Sequence, residues 1–138
     1  MKSRTWLRIA AVLLAVHTIA HTLGTLNDPQ VPGAAALMNS MRNFHFDAMG
    51  WDRTAWDFFR GLGLLFSVSL AVLTVLAGQA GDLSETDPLG ARPIIITLLA
   101  ANVLITALSW FYFFIVPVVL AALTVLCVAL ALRVPKTV

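Results

Sequence analysis

The stretch PIIITLLAANVLITALSWFYFFIVPVVLAALTVLCVALAL, residues 93–132, decides the fold. It carries no charged residue, and as one straight helix at ~1.5 Å per residue it would run ~60 Å, twice the ~30 Å hydrocarbon layer of a bilayer. The segment therefore has to turn back on itself. The turn is expected in Trp110–Pro117, WFYFFIVP, because Trp and Tyr favour the water interface and Pro117 suits the first turn of a new helix. Two spans follow, near 93–112 and 114–132.

Working outward, residues 81–92, GDLSETDPLGAR, hold Gly, Asp and Pro breakers and read as a short polar loop ending at Pro93. Before it, Ala55–Ala80 is a second long apolar run that opens on Trp56, Asp57, Phe58, Phe59 and Arg60. The N-terminal MKSRTWLRIAAVLLAVHTIAHTLG has the basic start and apolar centre of a signal peptide. It lacks a persuasive A-x-A site and runs into a polar, His-bearing end, so Trp6–Leu23 reads as a retained span. The expected fold is all-α, a four-helix transmembrane bundle forming a single domain over residues 1–138.

Composition agrees. Of 138 residues, 59% are hydrophobic and 12% charged, with a mean hydropathy of +0.88, against ~25% charged in soluble domains. The formal charge of +2 does not mark a nucleic-acid partner, because the basic residues sit at membrane edges. Lys2, Arg4, Arg8, Arg92, Arg133 and Lys136 fall on one side, and Arg42, Arg53 and Arg60 on the other. The positive-inside rule then makes both termini cytoplasmic in a cell membrane of bacterial type. Cys127 is the only cysteine, which excludes an internal disulfide and leaves it as a small apolar side chain. The largest non-spanning piece, residues 25–54, is too apolar for a solvated loop. Leu37, Met38, Met41, Phe44 and Ala48 recur at helical spacing, so an amphipathic helix is expected there, lying on the membrane or capping the bundle.

Ionisable and amide groups inside a bilayer are costly, which makes their positions informative. His17 and His21 are four apart on one helical face, with Thr18, Thr22 and Thr25 near that stripe. Counted along the helices, His17 shares a layer with Asn102, and His21 shares one with Arg60 and Thr106. Ser109 lies further out, and the inner half is nearly free of strongly polar groups. An outward-facing polar pocket is expected, with His17, His21, Arg60, Asn102, Thr106 and Asp57 as candidate ligand-binding residues. The competing reading is structural: His, Asn, Thr and Ser side chains can simply hydrogen-bond between helices. Asp57 and Arg60 can form an i,i+3 pair. Gly63, Ser67 and Ala71 make a small-residue stripe that permits close helix packing, inside the chain or in a homodimer.

A metal is a further option, with His17 and His21 as two imidazole ligands and His45 or Asp47 folding over as a third. An H-x-x-x-H pair without a zinc-protease Glu is weak evidence for it. For a haem, adjacent turns of one helix cannot supply both axial ligands. No Ser-His-Asp pattern, phosphate-binding Gly loop or C-x-x-C is present.

In H17TIAHTLG24, F44HFDAMG50, R53TAWDFFRGLGLLFSVSL70 and S109WFYFFIVP117 the chain resembles a family of small bacterial four-span membrane proteins of unknown function. The resemblance implies a four-helix fold and transfers no activity. The layout also looks like sterol-isomerase membrane bundles, but every Asp and Glu here falls in a loop or at an edge, so the paired intramembrane acids of those enzymes are missing. Three functions are expected from these residues: binding of a lipid-like or quinone-like molecule under a lid formed by 33–49, an accessory role in a larger membrane complex, or metal or haem binding. Under the first, His17 or His21 would carry any proton transfer.

Overall fold

Seven elements make up the computed structural model, which describes residues 2–133; Lys136, counted above among the basic residues of one side, lies outside them. In chain order they are α1 (Ser3–Leu26), α2 (Ala34–Asn43), β1 (His45–Ala48), β2 (Trp51–Thr54), α3 (Ala55–Thr86), α4 (Pro88–Tyr112) and α5 (Ile115–Arg133). The four long helices α1, α3, α4 and α5 are each long and apolar enough to cross a membrane. The fold is thus the all-α class expected of a four-helix membrane bundle, and the chain is an integral membrane protein. The fold-back also falls where expected: α4 ends at Tyr112, where the Phe113 N–H caps onto the Ser109 carbonyl, and α5 carries Pro117 in its first turn.

The loop expected at 81–92 is instead almost wholly helical. α3 continues through Thr86, and α4 begins at Pro88, leaving Asp87 as the only break. Asp87 caps α4 by accepting from the Gly90 N–H at 2.9 Å, and Pro88 sits where its missing N–H costs nothing. Pro93 therefore lies inside α4 rather than at its start. Asp-Pro is a complete stop-and-start signal, so the chain needs no longer linker.

Two compact units are distinguished, one of residues up to His17 with those from Leu70 onward, the other Thr18–Ser69. In the first, α1 buries Leu7, Ala10, Leu14 and His17, and α4 buries Ala91, Ile95, Leu98, Asn102 and Ser109. Those three- and four-residue steps make one narrow inward stripe per helix. The side chains off the stripe, such as Val12, Leu104 and Leu126, are exposed, as suits helices whose outer solvent is lipid. Small residues set the spacing: a Cβ at Gly81 would lie 3.4 Å from that of Leu7 and 3.6 Å from the Arg4 carbonyl. Charges close this end. Arg4 pairs with Asp82 (3.1 Å) and Glu85, Arg8 pairs with Asp82 (3.3 Å), and Ser3 Oγ donates to the Ala131 carbonyl at 3.1 Å. Cys127 is buried and free, as expected.

In the second unit the amphipathic helix exists but is shorter than the spacing implied. α2 buries Ala34 and Met38, and Leu37 is exposed. Phe44 caps its end, and 45–54 form an antiparallel hairpin pairing His45 with Thr54, Phe46 with Arg53, Asp47 with Asp52 and Ala48 with Trp51. The helical reading of Phe44 and Ala48 is thereby corrected. The hairpin turns on Met49 (φ 58°) and Gly50 (φ 88°), two consecutive left-handed residues of the kind that tight hairpin turns require. Asp47 reinforces it by accepting from the Gly50 N–H at 2.6 Å. Strand β2 then feeds α3 through a reciprocal cap, in which Asp57 accepts from the Thr54 N–H (2.9 Å) and Thr54 Oγ1 accepts from the Asp57 N–H (3.1 Å).

Candidate functional site

The expected site residues fall in both units, and each unit holds its share in a different state. In the first, His17 and Asn102 are core residues, 4% and 1% exposed. Each lies fourteen residues into its helix from Ser3 or Pro88, so about 21 Å along it. Asn102 Nδ2 donates back to the Leu98 carbonyl at 2.8 Å, while its Oδ1 is buried and finds no hydrogen-bond partner among the described residues. Thr106 gives its hydroxyl proton to the Asn102 carbonyl at 2.7 Å, leaving only oxygen lone pairs for anything else. It also lines an apolar cleft of about 480 Å³ between α4 and α5, floored by Ala107 and Ala122 and edged by Trp110 and Phe111. Of the expected residues, only Thr106 reaches that cleft.

In the second unit, helices α1 and α3 approach so closely that a Cβ at Gly63 would strike Thr25 Cγ2 at 2.7 Å. One turn deeper, His21 Nδ1 lies 3.0 Å from Ser67 Oγ, and Ser67 Oγ lies 3.2 Å from the Gly63 carbonyl. Two arrangements satisfy these contacts: Ser67 donates to the Gly63 carbonyl and accepts from a protonated Nδ1, or it donates to Nδ1 and leaves the carbonyl to its helical N–H. In the first, Nε2 keeps its lone pair, and that nitrogen has no partner among the described residues. Phe66 meets the same ring edge-on at 4.8 Å and 78°, fixing its plane. The small-residue stripe thus serves close packing within the chain at Gly63 and Ser67, while Ala71 lies off it, exposed, because the buried face steps from Ser67 to Leu70.

The expected Asp57–Arg60 pair does not form. Asp57 is committed to the cap of α3, and Arg60, half-buried one turn further on, has no ion-pair or hydrogen-bond partner among the described residues. Arg60 and Ser67 are seven apart, hence on one face of α3. Above this face Arg42 acts as a latch: it donates to both Asp28 oxygens (2.9 and 2.7 Å) and its guanidinium lies 4.6 Å from the centre of the buried Trp56 ring. This stacked ion pair was not anticipated, because it joins residues 28, 42 and 56 through a fold the spacing did not reveal.

The metal reading gains no grouping: no three His, Cys, Asp or Glu side chains among the described residues come together as a metal site. His45 and Asp47, expected to fold over as further ligands, stand on the hairpin, with His45 Nδ1 paired to Asp52 at 3.0 Å and Asp47 capping the turn. No family model, curated protein or solved structure matches the chain.

Proposed function

We propose that this chain is a multi-pass cell-membrane protein, with both termini cytoplasmic, that binds a lipid-like or quinone-like molecule in its outer half. The observation that carries this reading is the Gly63–Ser67–His21 chain of hydrogen bonds. With Ser67 donating to Gly63, it presets an imidazole at membrane depth as a hydrogen-bond acceptor, which is what a hydroxyl-bearing head such as a quinol or sterol needs. Arg60, with no partner among the described residues, supplies a cation two turns away on the face that holds Ser67, and α2, tied by Arg42 to Asp28 and Trp56, is the proposed lid. Histidine titrates in the range useful for proton exchange, so His21 is also the group through which any chemistry on that hydroxyl would pass.

The test is binding of a short-chain hydroquinone to the purified protein in detergent, followed by the fluorescence of its tryptophans. His21→Ala is expected to weaken binding by about tenfold or more, and Ser67→Ala by less, since it only frees the tautomer. His21→Gln, which keeps an acceptor, is expected to fall between. Equal binding by wild type and a folded His21→Ala protein would remove the reading.

A second reading, an accessory subunit of a larger membrane complex, is favoured by one feature. Trp110, Phe111, Tyr112, Phe113 and Phe114 are all more than half exposed where α4 turns into α5, a run of aromatics that suits a neighbouring membrane protein as well as an interface belt. Co-purification of a stoichiometric partner in mild detergent, lost on Phe111→Ser, is the result that reading requires.

A further inference from the structure

The outer hairpin has two unlike faces. Cross-strand pairing places His45, Asp47, Asp52 and Thr54 on one and Phe46, Ala48, Trp51 and Arg53 on the other. On the first face the charges are answered internally: Asp52 takes His45 Nδ1, and Asp47 takes the Gly50 N–H. On the second, the Arg53 guanidinium lies 5.3 Å from the centre of the Trp51 ring and donates to the Asp52 carbonyl at 2.8 Å. It makes no ion pair among the described residues, in contrast to Arg42 with its Asp28, although its charge reaches the Asp57 carboxylate in the cap of α3. Ala48, Trp51, Arg53 and Phe58 line a cleft of about 310 Å³.

The place of that cleft says what fills it. Phe58 lies in the first turn of α3 and is exposed, as are Leu62 and Leu65 at the next helical steps, so the cleft runs directly into an apolar stripe of the spanning helix. The 32 residues of α3 make a rod of about 48 Å, against ~30 Å of hydrocarbon and ~40–45 Å with headgroups. Its first turn therefore stands at headgroup depth. A guanidinium fork at that level matches a phosphate, and the indole beside it suits the boundary between headgroup and chain.

We propose that the cleft formed by Ala48, Trp51, Arg53 and Phe58 binds the phosphate-bearing headgroup of a membrane lipid, with an acyl chain lying along Phe58, Leu62 and Leu65. This site is separate from His21 and stands or falls independently of it. The hairpin becomes a clamp that ties the protein to one leaflet.

The test uses the full chain, delipidated in detergent and titrated with phosphatidylglycerol, diacylglycerol or inorganic phosphate, with bound species counted by native mass spectrometry. Wild type is expected to retain phosphatidylglycerol in preference to diacylglycerol, and Arg53→Gln to weaken that retention about tenfold. Arg53→Lys should recover part of it, and Phe58→Ala should weaken it with Arg53 intact, which separates lost binding from lost folding. Arg92→Gln, in the second turn of α4, is expected to change nothing. The proposal is overturned if Arg53→Gln binds phosphatidylglycerol like wild type, if diacylglycerol binds equally well, or if millimolar inorganic phosphate displaces the lipid completely.

Discussion

The two ends of α3 use their charges in opposite ways. At its C-terminal end Asp82 and Glu85 are both taken by arginines of α1, and the Ser3 hydroxyl is bonded to α5, so these groups hold helices together. At its N-terminal end Asp57 is turned to its own cap, Arg60 is left without a partner among the described residues, and the His21 ring meets Ser67 through one nitrogen alone. Under the proposed function the first end closes the bundle and the second meets a ligand. Paired charges at a helix end are structural, whereas a cation and an acceptor kept apart from any partner are costly at membrane depth unless something else meets them.

Substitutions can break this comparison, beginning with the strongest. Gly63→Val is expected to destabilise the protein by about 1–3 kcal/mol, because the new side chain meets Thr25 where even a Cβ would be 2.7 Å away. Gly78→Ala, with nothing within 4 Å of its Cβ, is expected to be neutral or slightly stabilising. Unfolding by denaturant in mixed micelles measures both, and equal effects would mean that the close approach at the N-terminal end of α3 is not required.

Asp57→Ala comes next. It removes the reciprocal cap and is expected to lower stability, while leaving quinol binding in place, since Asp57 touches neither His21 nor Ser67. A drop in quinol affinity with unchanged stability would return Asp57 to the ligand-binding set in which its position on the chain first placed it. Arg4→Gln opens the clamp at the C-terminal end of α3. Its partners are substantially exposed, so a loss of about 0.5–1 kcal/mol is expected, shrinking as salt is raised. The smallest change is at the hairpin. Met49 is 99% exposed at φ 58°, so Met49→Asn is expected to stabilise by a few tenths of a kcal/mol, up to about 0.5. Melting temperatures of the two proteins decide it.

Much of the architecture could be read from residues alone, for reasons that are local. The 40 uncharged residues 93–132 cannot lie in one bilayer-spanning rod, and aromatic residues followed by Pro117 mark where the chain turns. The misread pieces were those where two local signals compete. In 81–92 the Gly and Asp residues resemble a loop, yet Asp87-Pro88 alone completes the break, and Asp82 and Glu85 are held in helix by arginines some eighty residues away in sequence. In 44–54 the helical spacing of Phe44 and Ala48 continued that of Met38 and Met41, and a Met-Gly turn is a weaker hairpin signal than Asn-Gly. The site was partly legible. His21 stood out as an ionisable group within a span, but its tautomer depends on Ser67, whose register opposite His21 follows from the approach at Gly63 and Thr25 rather than from any pattern along one helix.

The central claim is that His21 is held as an acceptor, and nitrogen NMR of the protein labelled with ¹⁵N-histidine tests it most directly, with His21→Gln assigning the resonances. A neutral ring protonated at Nδ1 is expected, with an Nε2 signal in the lone-pair range that moves when a hydroquinone is added. A ring protonated at Nε2, or an Nε2 signal indifferent to the hydroquinone, would contradict it.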